Sequence, residues 1–248
     1  MPSSILPTRP PGRARGGTRA SVLPADGGRP ENSLNGTIFT VNGPGTDNTG
    51  LAIKVPQADG LMRFWRNTTV ASQAAGQTAT LPGGPLGYEW DEDLDNGFRP
   101  AGLFDLSTAS YPMTTDLLLD YGATYGAGTA THHMTMYKAL SGALVFGAGT
   151  VQWSWGLDAT HDDPLGVGNP ADVRMQQATV NLFADMGVRP ATLQPGLVPA
   201  TASTDTIPPT STITSPTLGS TVQGGTPVTI TGTATDTGGG VVAGVEVS

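Results

Sequence analysis

Five acidic residues lie within seven positions of the stretch GYEWDEDLDNGFRP, which runs from Gly87 to Pro100. Three of them, Asp91, Asp93 and Asp95, alternate with other residues, which is the spacing at which a calcium loop collects its oxygen ligands. An EF-hand counted from Asp91 needs Gly at its sixth position and Glu at its twelfth, whereas the sequence has Asn96 and Gly102. An EF-hand is excluded, but a looser calcium or magnesium site at the three aspartates remains a hypothesis, because repelling carboxylates bind hard cations more tightly.

The alternative interpretation of this stretch is a solvated turn. Asp95 is followed by Asn96 and Gly97, a combination that favours chain reversal, and some of the acids would then pair with Arg99 or Arg63.

Two adjacent histidines follow in the segment THHMTMY, Thr131 to Tyr137. On a strand, His132 and His133 point to opposite faces and cannot easily bind one metal together. His132 shares its face with two methionines, which predicts a buried, hydrogen-bonded side chain. His133 shares its face with threonines and a tyrosine, so it is the candidate for acid–base catalysis. A third histidine, in His161-Asp162-Asp163, is either a ligand or part of a charged entry to the following helix.

Several classes of site and partner are excluded by the sequence. Cysteine is absent, which removes thiolate ligands and a cysteine nucleophile. The glycines from Gly122 to Gly128 lack the Lys-Ser/Thr ending of a phosphate-binding loop, and no G-x-S-x-G motif occurs. Four of the 12 basic residues lie within residues 1–22, and all 20 acids follow them, which argues against a nucleic-acid partner. The sequence contains no run of about 18 apolar residues, so no membrane-spanning helix is predicted.

The elements that position these residues are predicted to be mostly short strands, given 35 Gly, 21 Pro and few charges. Strand candidates are TIFTV, LAIKV, PLGYEW and GLFDLS, and THHMTMY is expected to form a hairpin with ALVFGAG across Ser141-Gly142. One helix is predicted after Asn169-Pro170, with Met175, Leu182 and Met186 on one stripe. A hairpin followed by a helix indicates the last part of an α/β domain.

The domain organisation is predicted in four parts. Residues 1–23 form a disordered basic arm or a non-native start, without the apolar region of a signal peptide. Residues 24–194 form the main domain and residues 195–210 a Thr/Ser/Pro linker. Residues 211–248 alternate like the first strands of an immunoglobulin-like sandwich, which needs about 100 residues, so the sequence is expected to stop inside that domain.

Four stretches together carry a family resemblance: FWRNT, GYEWDEDLDNGFRP, THHMTMY and GALVFGAGTVQWSWGLD. They resemble the C-terminal region of the large (β) subunit of N,N-dimethylformamidase, over about Pro24 to Leu193. The resemblance implies an α/β domain of the flavodoxin-like, class I glutamine-amidotransferase type. It also implies a secreted bacterial parent protein and amide hydrolysis at an iron held by two tyrosines and a glutamate.

The iron ligands of that family are expected in segments such as His-Asp-Glu-Tyr-Trp, which this sequence lacks, so no iron ligand is assigned. Glu89 is kept as a catalytic candidate because it adjoins Tyr88 in the acidic stretch. The first functional hypothesis is a fragment of an amide hydrolase that is inactive alone and works with the rest of its parent chain. The alternative is an extracellular adhesion module that binds carbohydrate or protein through Trp153, Trp155 and Tyr137.

Overall fold

The computed structural model describes residues 29–43, 51–120, 122–161 and 170–247, and within them strands dominate. The strands are β1 (Ile38–Asn42), β2 (Ala52–Pro56), β3 (Thr78–Gly83), β4 (Glu89–Glu92), β5 (Phe104–Leu119), β6 (Thr124–Lys138), β7 (Leu144–Gly147), β8 (Thr210–Ser215) and β9 (Thr231–Thr235). The α-helices are α1 (Asn32–Asn35), α2 (Gln57–Gly60) and α3 (Val173–Asp185), and short 3₁₀ turns occupy Arg63–Trp65, Thr69–Ser72 and Trp153–Gly156. No helix among these residues is long and apolar enough to span a bilayer.

The main sheet is antiparallel, with strand order β4-β1-β5-β6-β7 and a further pairing between β4 and β6. The pairs Val41 with Leu117 and Glu92 with His132 join β1 to β5 and β4 to β6, so four strands close into a ring. The two longest strands, β5 and β6, form one hairpin whose register shifts twice, between Asp105 and Ser107 and between Met113 and Leu117. These bulges bend the hairpin enough for the small β1 and β4 strands to bridge its two arms.

The α/β, flavodoxin-like expectation is wrong. Parallel strands need crossover connections of about a dozen residues or more, usually through a helix. Here β5 and β6 are joined by the four residues from Asp120 to Ala123, and the only helix longer than one turn in the described residues, α3, follows the strands of the main sheet. Short connections leave β5, β6 and β7 no option but antiparallel pairing, so these three strands form a meander within the sheet, and α3 packs on the 3₁₀ turn Arg63–Trp65.

Three of the strand candidates are confirmed as β1, β2 and β5, and PLGYEW is confirmed only at its last two residues, which begin β4. The predicted hairpin is β6 with β7. Helix α3 is also confirmed, although Asp172 caps it by accepting hydrogen bonds from the backbone N–H groups of Arg174 and Met175. Met175 and Leu182 are buried, whereas Met186, predicted to share their stripe, is 41% exposed. Asn169 lies outside the described residues.

The core lies between the ring and α3. Trp65, Trp90, Leu106, Met134 and Met175 are all fully buried there, and the Trp65 indole N–H donates to the Leu106 carbonyl at 2.8 Å. Burying a large aromatic side chain contributes on the order of 2–3 kcal/mol, so these residues fix the position of β5 and β6. In residues 209–247, β8 and β9 form a separate antiparallel pair with almost all of their side chains exposed.

Candidate active site

A cluster of ionisable side chains lies on the outer face of the β5–β6 hairpin. His133 of β6 stands directly opposite Thr108 of β5. Helix α2 contacts β5 and brings Asp59 to the cluster, where the Thr108 hydroxyl donates to the Asp59 carboxylate at 2.9 Å. Asp105 precedes the first register shift of β5, and Asp93 directly follows β4. Four separate segments therefore supply this site.

The two ring nitrogens of His133 have different surroundings. Nδ1 accepts a hydrogen bond from the backbone N–H of Asp93 at 3.2 Å. Nε2 lies 3.9 Å from Oδ2 of Asp105, which is too far for a direct hydrogen bond but close enough for one small atom to contact both groups. Burial lowers the pKa of His133, against the carboxylates of Asp93, Glu92 and Asp59, which raise it.

Asp105 is the most perturbed carboxyl group of the cluster. Its Oδ1 atom is buried and has no hydrogen-bond partner. Burial, followed by the charges of Asp93 and Asp59, raises the pKa of Asp105 to about 7, although Arg99 opposes the shift. Burial also raises the pKa of Asp59, while the hydrogen bond from Thr108 acts in the opposite direction. Asp105, whose pKa is about 7, lies beside a histidine with a lowered pKa and is therefore suited to exchanging protons near neutral pH.

The acidic stretch of the sequence does not form one site. Asp91 accepts a hydrogen bond from the Thr37 hydroxyl at 2.7 Å, and burial raises its pKa. The carboxylate of Asp93 is held by Arg99 at 2.7 Å, whereas Asp95 is exposed and accepts the backbone N–H of Gly97. In the described residues, no group of three or more His, Asp or Glu side chains could hold a metal ion. The geometry gives the calcium hypothesis no support, and it stays a prediction.

The turn interpretation of the same stretch is confirmed in part. Arg99 pairs with an acid of the loop, as predicted, but Arg63 pairs with Asp185 of α3 at 3.0 Å. Glu89 is half-buried on β4 and lies near Asp91, on which its charge acts. Glu89 and His133 both stay predictions as catalytic residues, but His133 alone lies in the cluster with Asp105.

The family resemblance implies iron held by two tyrosines and a glutamate. Three of the four tyrosines in the described residues use their hydroxyl groups in hydrogen bonds, and the fourth, Tyr88, is 45% exposed beside Glu89. A tyrosinate ligand needs a free phenolic oxygen, but the hydroxyl groups of Tyr111 and Tyr137 donate to the backbone carbonyls of Ala52 and Leu34. The hydroxyl of Tyr125 accepts a hydrogen bond from the Asn42 side chain at 3.1 Å. With no metal-binding group of carboxylates among the described residues either, no step of the chemistry is assigned to iron here.

The other two histidines lie outside the cluster. His132 is fully buried beside Trp90, and its Nε2 lies 3.2 Å from the Ala148 carbonyl, which confirms the prediction of a buried, hydrogen-bonded histidine. Burial lowers its pKa to about 3. His161 stacks on Trp155, with ring centroids 4.7 Å apart. Asp162 and Asp163 lie outside the described residues.

The aromatic residues of the adhesion hypothesis are mostly part of the core. Trp153 packs against Phe64 and Phe146, and its indole N–H points to the Thr179 hydroxyl at 3.4 Å. Tyr137 is 8% exposed and donates to a backbone carbonyl. Trp153 and Trp155 are both half-buried, and the Trp155 ring is partly covered by His161.

Asp105 and Asp59 were missed by the sequence reasoning. A signal existed for Asp105, because it lies between Phe104 and Leu106 in the predicted strand GLFDLS, where a charge needs a partner. No comparable signal marks Asp59, since its place in the site depends on how the single turn of α2 crosses β5.

Comparison with known proteins agrees with the resemblance of the four sequence stretches. Residues 8–164 match the family model described as N,N-dimethylformamidase beta subunit-like, C-terminal. Residues 209–248 match the model of a bacterial Ig domain. No curated protein and no solved structure matches the chain. Because the first match covers more than half of the sequence, the chain belongs to the N,N-dimethylformamidase beta subunit-like family, and it carries a bacterial Ig domain after that region.

Proposed function

We propose that this chain forms part of an amide hydrolase in which Asp105 and His133 transfer protons and position the amide. The single observation that carries this proposal is the pair itself, a buried, unpartnered carboxyl oxygen beside a histidine whose Nδ1 accepts a backbone hydrogen bond. The family description supplies the class of substrate, a small N-substituted amide such as N,N-dimethylformamide.

The chemistry of the pair follows from its protonation states. The carboxylate of Asp105, with a pKa of about 7, takes a proton from a water molecule as the water oxygen attacks the amide carbon. The Nε2–H of His133 donates a hydrogen bond to the carbonyl oxygen, where negative charge develops. When the C–N bond breaks, the protonated Asp105 returns the proton to the leaving nitrogen. The products are a carboxylic acid and an amine, and the carboxylate is regenerated.

The test is an amidase assay on the complete gene product and on the 248-residue chain, following dimethylamine released from N,N-dimethylformamide. We expect activity in the complete gene product and none in the chain alone, which works with the rest of its parent. Asp105→Asn should lower kcat/KM by about 100-fold or more, the usual contribution of a general base. Asp95→Asn, which removes an exposed acid of the neighbouring loop, is the matched control and should leave activity unchanged. Wild-type rates in Asp105→Asn would refute the assignment.

The location proposed for the parent protein is outside the bacterial cell or on its surface. This is supported by the Ig domain of residues 209–248, because such domains often belong to exported or surface proteins. The measurement is cell fractionation with an antibody against the main domain, combined with protease treatment of intact cells. Finding the protein only in the protease-protected cytoplasmic fraction would contradict this location.

A further inference from the structure

The tautomer of His133 is set by a backbone group, not by another side chain. A neutral imidazole has one N–H donor and one acceptor nitrogen. Because Nδ1 accepts the hydrogen bond from the Asp93 backbone N–H, this contact favours the neutral tautomer that carries its single N–H on Nε2. Nε2 is the nitrogen that faces Asp105 at 3.9 Å. The orientation of the Asp93 amide therefore decides whether His133 presents a donor to the site.

The Asp93 amide lies just beyond the end of β4, where no strand pairing holds it. The Asp93 side chain is instead held by hydrogen bonds from Arg99. The guanidinium Nε donates to Oδ1 and Oδ2 at 2.9 and 2.8 Å, and Nη2 lies 2.7 Å from Oδ2. Arg99 also donates to the Leu103 carbonyl at 3.3 Å, which ties this pair to the residue before β5. The Asp93 side chain is only 7% exposed, so this forked pair is well shielded from water.

We propose that Arg99 is a positioning residue that fixes the Nε2–H tautomer of His133 through Asp93. The fork holds the Asp93 carboxylate, the carboxylate fixes the backbone of residue 93, and the backbone N–H selects the protonated nitrogen of the imidazole. The inference rests on the proposed function, since the selected tautomer directs a donor toward the carbonyl oxygen of the substrate. It adds a role for Arg99 that requires no contact with substrate.

The test is a long-range proton–nitrogen NMR correlation on the ¹⁵N-labelled 248-residue chain, which distinguishes protonated from unprotonated ring nitrogens. The chain has 3 histidines, and a His133→Gln spectrum assigns the signal of interest. In the wild type, we expect Nδ1 of His133 to be unprotonated. In Arg99→Gln and in Asp93→Asn, loss of the fork should shift the ratio of the two tautomers by about fivefold toward Nδ1–H, the value of one ordinary hydrogen bond.

Two further variants separate the fork from the charge of Arg99. Arg99→Lys keeps the charge without the planar fork and should shift the ratio by a smaller factor. Glu246→Gln is the matched control, because Glu246 lies 3.7 Å from Arg99 and is more than half exposed, and its replacement should leave the ratio unchanged. The signals of His132, buried in the core, report whether each variant keeps the native fold.

Unchanged tautomers in both Arg99→Gln and Asp93→Asn, with native His132 signals, would overturn the proposal. If Arg99→Gln does not fold, the nearly isosteric Asp93→Asn decides the question alone. The result is also independent of the amidase assay. If the tautomer depends on Arg99 but the protein has no amidase activity, the positioning role of Arg99 holds and the proposed function is wrong. If the protein is an amidase but both tautomers of His133 are populated, the proposed function holds and the positioning role is wrong.

Discussion

Replacing Asp105 with asparagine is expected to stabilise the folded chain above pH 7, although it removes the proposed base. The carboxyl group has a pKa of about 7 in the folded state against 3.8 in its ordinary surroundings, because burial and the charges of Asp93 and Asp59 disfavour its ionised form. Between pH 3.8 and 7 the folded state therefore binds more protons than the unfolded state at this residue. By linkage, this residue makes the free energy of unfolding of the wild type fall as the pH rises through that window.

The size of the effect follows from the shift. Each unit of pKa difference corresponds to about 1.36 kcal/mol, so a shift of roughly three units sets an upper limit of about 4 kcal/mol. The Asp105 side chain is 30% exposed, so solvent screens part of this energy and we expect about 2 kcal/mol. Asparagine has nearly the same shape and no charge, so the variant should equal the wild type within about 0.5 kcal/mol at pH 4 and exceed it at pH 8.

The assay is urea unfolding followed by tryptophan fluorescence, at pH 4 and pH 8, for the wild type, Asp105→Asn and Asp95→Asn. The ionisable groups remote from residue 105 are common to all three proteins, so their titration cancels in the differences. Asp95→Asn changes the net charge by the same amount at an exposed position and should follow the wild type at both pH values. If the stability difference between Asp105→Asn and the wild type were the same at pH 4 and pH 8, the inferred protonation of Asp105 would be wrong.

Three further predictions concern the core. Asn181→Leu should lower the free energy of unfolding by about 3 kcal/mol in the same urea assay, because this buried side chain donates to two backbone carbonyls and accepts from Gln177; a loss below about 1 kcal/mol would contradict it. Gly149→Ala should cost about 3 kcal/mol or more by thermal unfolding, since Gly149 has φ +64° and a Cβ there would overlap the His133 carbonyl; a near-native midpoint would show that the backbone can yield. His132 has a folded pKa of about 3 against 6.5, so its contribution to stability is lost as the pH falls through that interval, by up to about 5 kcal/mol, and His132→Gln should flatten the acid limb of the stability profile measured by urea unfolding.

The strands that could be predicted from the sequence are those whose signal is local. Alternating apolar residues bounded by Gly, Pro or Asn identified β1, β2, β5 and the start of β4, and the turn at Ser141-Gly142 identified the pairing of β6 with β7. Strand β3 was missed, because Thr78–Gly83 includes a proline and a glycine and five of its six side chains are partly or fully exposed. A strand that is mostly exposed shows little alternation of apolar and polar residues, and this alternation is the signal by which strands are predicted.

The error in fold class has a different cause. The α/β expectation followed from the family resemblance and from a helix placed after a hairpin, and neither of these fixes the direction of a strand. The direction is fixed by the connection between β5 and β6, where Asp120 and Gly122 both have positive φ and close a tight turn. The pair Leu119 with Thr124 continues the ladder up to that turn, so β5 and β6 form one long antiparallel hairpin.

The candidate site was predicted from the sequence only in part. The strand alternation correctly separated His133 from the buried His132, because a period of two is enough to divide the faces of one strand. It could not bring Asp105 or Asp59 to His133, since these contacts depend on a bulge in β5 and on the crossing of α2. The clustered acids of the sequence drew attention to Asp91, Asp93 and Asp95, of which Asp93 alone lies beside His133. The other acids of the cluster, Asp59 and Asp105, come from distant segments.

The electrostatics of the cluster favour the proposed role of Asp105 as a proton acceptor over a structural role. Arg99 neutralises Asp93, and Thr108 donates to Asp59, so each of these carboxylates has a compensating partner. Oδ1 of Asp105 has none, and its position between the charges of Asp93 and Asp59 makes ionisation unfavourable. Asparagine would fill the same space without that electrostatic cost, so what aspartate alone provides is a group that gains and loses a proton near pH 7. Beside a histidine whose Nε2 lies 3.9 Å away, such a group is suited to transferring protons to a bound molecule, as the proposed amide hydrolysis would require.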